Sequence, residues 1–596
     1  MLLDNLNNKQ KEAVEYIGGP LLVFAGAGSG KTRVLTHKIA YLIEQVGLLP
    51  ENILAVTFTN KAAQEMKARV VDLVNVNISG INIGTFHSIS ASILRKEIKH
   101  LGYNNDFTIY DQQDSRAVVK MVIKELNLDL KQYDPKTYQY KISSAKNLLQ
   151  TTDYIEKSAV NVNDERFAQI YKRYQEILKT NNCVDFDDLI ILPIKLFKDF
   201  PNRLEYYQNK FKYVLVDEYQ DTNKPQFEFI HSVSYKHKDI FVVGDDDQSI
   251  YGWRGADISN ILNFKEAFGE AEIIKLEQNY RSTKTILEAA WTVVSKNSNR
   301  AEKKLWTENV SGDKIKLISS YDERSEAKDI LKSILEDKVD FKDISILYRT
   351  NSQSRPIEDE LRRGGVPYQI IGGVKFYDRK EIKDILAYAK LIVNESDSIS
   401  FNRSINFPIR GIGKTSIEKI NQMANNANVS CMKIIQDVEN LKVGLKQKKG
   451  IKEFNELISI YKQRSLKENG SIVIKDLLKD LNLKKYYEKQ STIEALDRWS
   501  NIEELITSMS EYEDNNEDKS LSKYLEEVSL LTDIDNWNSD NNSVTMMTIH
   551  SSKGLEFDCV YVCGLEDGLF PIIRLLEDND FEEERRLFYV ALTRAK

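Results

Sequence analysis

A short apolar run, Leu21-Leu22-Val23-Phe24, ends in Ala25-Gly26-Ala27-Gly28-Ser29-Gly30-Lys31-Thr32. Glycines at 26, 28 and 30 let successive backbone N–H groups converge on phosphate oxygens. Lys31 adds a point charge, and Thr32 offers a hydroxyl to magnesium. That chemistry is capture of a polyphosphate, and it needs a strand before the loop and a helix after it. The apolar run reads as the strand and Arg33-Val34-Leu35-Thr36-His37-Lys38-Ile39 as the helix. Ala25 stands where the strict pattern has its first glycine, and a glycine-rich turn without a ligand is the plain alternative.

Hydrolysis of a captured polyphosphate also needs carboxylates to hold the metal and orient water. Tyr213-Val214-Leu215-Val216 reads as a buried parallel strand, which puts Asp217 and Glu218 at its C-terminal end, where open α/β sheets collect ligands. Asp217 is the candidate metal ligand and Glu218 the candidate base. A third strand, Ile240-Phe241-Val242-Val243, leads into Gly244-Asp245-Asp246-Asp247-Gln248-Ser249-Ile250-Tyr251-Gly252-Trp253-Arg254. Gln248 is an uncharged amide able to sense a terminal phosphate. Tyr251, Trp253 and Arg254 read either as core residues or as a stacking platform for unpaired bases.

These segments, in this order, resemble the superfamily 1A helicases of the PcrA/UvrD/Rep family, and the resemblance runs along nearly the whole chain. It extends to Leu6-Asn7-Asn8-Lys9-Gln10, where it implies an adenine-reading role for Gln10. Thr57-Phe58-Thr59-Asn60-Lys61 and Gly84-Thr85-Phe86-His87-Ser88 look like the family's DNA-facing motifs, implying contacts from Phe58, Asn60, Thr85 and His87. Asp185-Phe186-Asp187-Asp188-Leu189 and Tyr219-Gln220-Asp221-Thr222-Asn223 are similar to further family segments. In Leu276-Glu277-Gln278-Asn279-Tyr280-Arg281-Ser282 the resemblance implies that Tyr280 stacks on adenine opposite Arg33 and that Arg281 meets the terminal phosphate. Val544-Thr545-Met546-Met547-Thr548-Ile549-His550-Ser551-Ser552-Lys553-Gly554-Leu555-Glu556 looks like motif V, implying a DNA contact at His550 and a ribose contact at Glu556. The last segment, residues 582–595, looks like motif VI, with Arg594 as its arginine finger. Arg349 and Asn351 follow the strand Ile344-Ser345-Ile346-Leu347 and read either as an ordinary surface loop or as second-lobe DNA contacts.

The resemblance implies the elements that must position these residues: an α/β fold of two RecA-like parallel-sheet lobes, 1A and 2A, with mainly helical insertions 1B and 2B. The expected boundaries are 1–108 and 185–281 for 1A, 109–184 for 1B, 282–378 and 541–596 for 2A, and 379–540 for 2B. Within 2B, the acidic run from Glu511 to Asp518 reads as a solvated loop and residues 533–540 as a return linker. Gly411-Ile412-Gly413-Lys414-Thr415 ends like a phosphate loop, but Pro408 precedes it and no strand does. It reads either as a helix-capping turn or as a loop that offers backbone N–H groups and Arg410 to duplex phosphates. Lys596 directly follows motif VI, so lobe 2A is expected to be incomplete at its C-terminus.

Length sets the scale, since 596 residues exceed what one core holds. The chain is 41% hydrophobic and 29% charged, with no apolar run of membrane-spanning length. The start, Met1-Leu2-Leu3-Asp4, lacks the features of a signal peptide, which places the expected protein in the cytoplasm. Four cysteines fit neither a disulfide framework nor zinc spacing and read as small buried hydrophobes. The net charge of −7 does not exclude a polyanionic partner, because salt screens exposed charges beyond roughly 8 Å and a local groove can act alone. The expectation is a DNA-stimulated ATPase using Mg2+. The resemblance implies that it unwinds DNA from 3′ to 5′ in repair or replication, as a monomer or weak dimer at single/double-strand junctions, with repair or replication proteins as partners. The alternatives are a translocase that strips proteins without processive unwinding, and a nucleotide switch with no polynucleotide track.

Overall fold

A computed structural model describes residues 2–337, 339–372, 376–427, 429–441, 443–490, 492–531, 541–573 and 580–596. In chain order its strands are β1 (Leu21–Ala25), β2 (Ile53–Thr57), β3 (Asn82–Thr85), β4 (Thr108–Tyr110), β5 (Cys183–Asp185), β6 (Tyr213–Val216), β7 (Ile240–Gly244), β8 (Glu272–Leu276), β9 (Ile344–Tyr348), β10 (Tyr368–Ile370), β11 (Val544–Thr548) and β12 (Cys559–Val562). A six-stranded sheet runs β3-β2-β6-β7-β1-β8 and a four-stranded sheet runs β10-β11-β9-β12, every pairing parallel. Unbroken apolar runs such as Leu21–Ala25 and Tyr213–Val216 are buried along their whole length, the pattern of a parallel strand covered on both faces.

Contacts divide the chain into two units, 1–89 with 197–373 and 532–596, and 90–196 with 374–531. The first unit holds both large sheets. In it the chain crosses from β1 past β7 and β6 to β2 and later returns through β6 and β7 to β8 on the opposite side of β1, so the C-terminal ends of β6, β7 and β1 adjoin. Such a reversal of strand order is where open α/β sheets bind ligands.

The second unit is mainly helical, with β4 and β5 paired as a small parallel sheet. Its largest core gathers Ile382, Ile385, Leu391, Ile451, Phe454 and Ile458 among others. Its two stretches are tied by Tyr110 Oη donating to Asp397 Oδ1 at 2.6 Å and by the Lys390–Asp114 ion pair at 2.7 Å. The segments expected as insertions, 109–184 and the described part of 379–540, lie in this unit together with flanking residues. Residues 533–540, expected as a return linker, lie outside the described residues.

Two expectations are corrected here. Residues 511–515 are not solvated loop but the last turns of the Ile493–Asn515 helix, with Tyr512 and Glu513 buried. Glu513 accepts from Ser471 N and Ser471 Oγ, both at 2.6 Å, so its charge sits on the first turn of the Gly470–Asp480 helix, where a carboxylate is favoured. Arg410 is not offered outward either: its Nη1 donates to the carbonyls of Ser404, Ile405 and Phe407, and Nη2 to Tyr388 Oη at 2.6 Å. Gly411–Gly413 lead into the Lys414–Ala427 helix, which takes in Lys414 and Thr415, and Ile412 is buried. All four cysteines are free; Cys183, Cys431 and Cys563 are buried and Cys559 is partly exposed on β12.

Candidate functional site

The loop between Ala25 and Lys31 turns sharply because Gly28 and Gly30 adopt φ of 65° and 87°, a region open to glycine. Ser29 closes the turn, its N and Oγ both donating to Gly26 O, and the Lys31–Glu44 helix starts directly after Gly30. Ala25 is the last residue of β1 and fully buried, backbone included. Lys31 and Thr32 are half-buried at the helix start and Arg33 is exposed.

Asp217 and Glu218 follow β6, as the apolar run requires. Burial first, then the neighbouring Glu218, raises Asp217 to about 7, with Lys31 opposing. Burial would raise Glu218 too, but Lys31 and then Lys553 outweigh it and bring Glu218 down to about 2. The distances agree: Glu218 Oε1 is 3.4 Å from Lys31 Nζ and Oε2 is 3.6 Å from Lys553 Nζ. Gln220 Nε2 also donates to Glu218 Oε2 at 2.6 Å. Two hard carboxylates, one of them buried and short of positive charge, fit a divalent cation, with Thr32 as a nearby hydroxyl.

Gln248 follows β7 and is buried. Its Nε2 donates to Asp245 Oδ2 at 2.5 Å and its Oε1 accepts from Arg594 Nη2 at 3.4 Å. Arg594 lies at the end of the Phe581–Leu592 helix, only 2% exposed. Burial and then Arg281 work against its charged form, while Glu218 favours it. Arg281 stands over the phosphate loop: a Cβ on Gly28 would come within 2.8 Å of the Arg281 Cβ. Its Nε donates to Glu556 Oε2 at 2.8 Å and its Nη1 to Thr593 O at 3.1 Å. Lys31 thus pairs with Glu218 and Gln248 with Arg594, Lys553 bridges Glu218 and the Gln248 carbonyl, and Arg281 holds Glu556 and the Thr593 carbonyl beside Arg594.

Gln10 and Tyr280, expected at the nucleotide base, adjoin this loop. Gln10 is buried, with Nε2 donating to Ser29 O at 3.0 Å and Oε1 accepting from Asn7 N. Tyr280 is 44% exposed, its hydroxyl accepting from Asn7 Nδ2 at 2.7 Å.

Among the expected DNA contacts, Tyr251, Trp253, Arg254 and His550 form one patch. The rings of Tyr251 and Trp253 lie 6.0 and 6.1 Å from His550, and the Arg254 guanidinium is 4.6 Å from the Trp253 ring. Trp253 is 54% exposed, which excludes the core reading for it. Burial and then Arg254 lower His87 to about 4; burial, Arg349 and Arg254 lower His550 to about 3, so both imidazoles are neutral. Phe58 packs edge-on against Phe86 at 5.8 Å. Arg349 makes a paired contact with Glu584, Nη2 to Oε1 at 2.8 Å, and Asn351 Nδ2 donates to Gly372 O. Asn60 opens the Asn60–Leu73 helix and Thr85 bonds Ser88, each on an element of its own.

Two lysines were missed as site residues. Lys553 Nζ donates to Gln248 O at 2.7 Å and also pairs with Asp221, tying the segment after β11 to the loops after β6 and β7. Lys303 is buried among Asp245, Asp246 and Asp247. In sequence each is one cation in a polar stretch, and no spacing marks it.

The profile of the UvrD/REP helicase N-terminal domain matches residues 6–269, and that of the UvrD-like helicase C-terminal domain matches residues 274–596. The chain is 46% identical over 606 residues to the ATP-dependent DNA helicase PcrA of Staphylococcus epidermidis strain RP62A, covering 100% of this chain and 83% of that protein. It is 45% identical over 603 residues to the ATP-dependent DNA helicase PcrA of Staphylococcus aureus strain COL, covering 100% of this chain and 82% of that one. A glycine-rich loop, a carboxylate pair and the buried Gln248 at the ends of parallel strands, with Arg281 and Arg594 beside them, agree with these matches, and the chain belongs to the UvrD/REP family of ATP-dependent helicases.

Proposed function

We propose that the chain is an ATP-driven motor that tracks single-stranded DNA and unwinds duplex DNA from 3′ to 5′ at single/double-strand junctions. Its setting is cytoplasmic DNA repair or replication, as a monomer or weak dimer with repair or replication proteins as partners. The observation that carries this reading is that Arg594 bonds Gln248, Arg281 bonds the Thr593 carbonyl beside it, and Lys553 joins Gln248 to the Glu218 that pairs with Lys31, in the same unit as the aromatic–cationic patch around the exposed Trp253. The PcrA relatives, named as DNA helicases, support DNA as the track. No helix among the described residues is long and apolar enough to cross a membrane.

Magnesium, when bound, supplies charge neutralisation at the phosphates, and Asp217 and Thr32 are the residues that would hold it. Lys31 shares its ammonium with Glu218 in this structure. Once Lys31 turns to phosphate oxygens, Glu218 loses a neutralising neighbour and becomes a better proton acceptor for water. Arg281 and Arg594 can exchange Glu556 and backbone carbonyls for phosphate oxygens, and each exchange draws its segment toward the phosphate loop. Tyr251 and Trp253 read base faces, which every base has, so sequence preference is weak. Opening a base-pair step costs about 1.4 kcal/mol in stacking.

The test compares ATP turnover with and without single-stranded DNA for the wild type and Lys31→Ala. The variant is expected to lose turnover by roughly 100-fold while keeping its affinity for single strands. A turnover indifferent to DNA in the wild type would sink the motor. Duplexes with 3′ or 5′ tails then test polarity. Turnover that responds to single strands while neither duplex separates would replace unwinding with protein-displacing translocation.

A further inference from the structure

Residues 297–306 have no regular secondary structure, yet they touch several parts of the ATPase centre. Asn297 Nδ2 donates to Glu582 O at 2.9 Å and Ser298 N to Glu582 Oε1 at 2.8 Å, on the helix that leads to Arg594. Arg300 grips Asp247 with two bonds, 3.0 and 2.7 Å, and Ala301 N donates to Asp246 Oδ2 at 2.7 Å. Lys303 Nζ lies 2.9 Å from Asp245 Oδ1 and 2.9 Å from Asp247 Oδ2, and also contacts Asp246. Leu305 packs on the phosphate loop, where a Cβ on Gly26 would meet its side chain at 2.3 Å.

The three aspartates would otherwise read as a cation site, and the Lys303 ammonium fills it. An ionised Asp245 only accepts hydrogen bonds, so it admits Gln248 with its NH2 group inward and its carbonyl oxygen toward Arg594. A neutral Asp245 could donate as well, and both amide orientations would then be allowed. Asp245 is fully buried beside two further carboxylates, so its charge survives only with a buried cation against it.

We propose that Lys303 is a positioning residue of the ATPase centre: through Asp245 it sets which way the Gln248 amide faces, and so presents Gln248 Oε1 to Arg594. The proposal rests on the reading of Gln248 as part of that centre. It assigns to the segment after residue 296 a role in catalysis that neither its charge pattern nor its lack of regular structure suggests.

The experiment measures kcat and KM for ATP at saturating single-stranded DNA for Q248A, D245N, D245N/Q248A, K303M and K303R. Expected are a fall in kcat of about tenfold for D245N and K303M with KM within about twofold, substantial recovery in K303R, and no further loss when D245N is added to Q248A. D245N keeps the side chain's shape and decides the question should K303M fail to fold. Losses from D245N and Q248A that multiply, or K303M with wild-type kcat, would overturn the positioning role and leave the ATPase reading intact. Wild-type kcat in Q248A would overturn both.

Discussion

Glu218 holds a left-handed backbone, φ 49° and ψ 40°, a region that costs a residue with a Cβ about 1–2 kcal/mol. The turn places its carboxylate between Lys31 and Lys553, so the conformation serves the site rather than the strand before it. Its neighbour Asp217 has the opposite electrostatics. Its folded value of about 7 lies above its ordinary value of 3.8, so the folded chain binds more protons across that window and stability falls as pH rises through it. Above that window the folded chain carries the buried charge in full. Asp217→Asn is therefore expected to melt higher than the wild type without magnesium. The gap should open between about pH 4 and pH 7 to roughly 2 °C, read by scanning fluorimetry, with ATP turnover abolished. A gap that stays constant across that range would count against the raised carboxyl.

At the scale of elements, the strands carry the plainest message. Their apolar runs mark them as buried and parallel, and a ligand-binding residue at each C-terminal end follows from that geometry. Helix ends are less transparent. The run from Glu511 to Asp518 has the composition of a solvated loop, but Glu513 lies on the face turned to the Gly470–Asp480 helix and caps its first turn. Composition reports the mean polarity of a stretch, not which face of a helix each charge occupies. Glu513→Ala leaves the Ser471 N–H and hydroxyl without their partner and is expected to cost about 1–2 kcal/mol, seen as a shift in the urea midpoint. Glu513→Gln, which still accepts one bond, should lose less; equal losses would remove the charge from the explanation.

For the whole molecule, a net charge of −7 and a DNA track are reconciled by locality. The patch of Tyr251, Trp253, Arg254 and His550 offers ring faces and one exposed guanidinium, with both nearby imidazoles neutral, and on the proposed reading it would hold the strand. Trp253→Ala is expected to weaken single-strand binding about tenfold and lower the DNA stimulation of turnover. Nucleotide affinity without DNA should stay unchanged, as checked by fluorescence anisotropy with a labelled oligonucleotide and by a fluorescent nucleotide. Unchanged oligonucleotide affinity would move the track elsewhere.

The linear order of residues was enough to place the glycine-rich loop, Asp217 and Glu218, and Gln248 with its neighbouring aromatics after the ends of strands. Each of these is a local pattern, a few neighbours joined to a strand or helix whose period is visible. What remained for the tertiary structure were partnerships over long separations: Lys553 on Asp221, Arg281 on Glu556, and Lys303 inside three aspartates. Arg410, for which contact with phosphates was one of two readings, folds back instead on carbonyls of its own loop, a local turn that composition does not announce. A lone cation has no period and its charge is the same in water or in a core. Only packing decides whether it meets solvent, a carboxylate or a substrate.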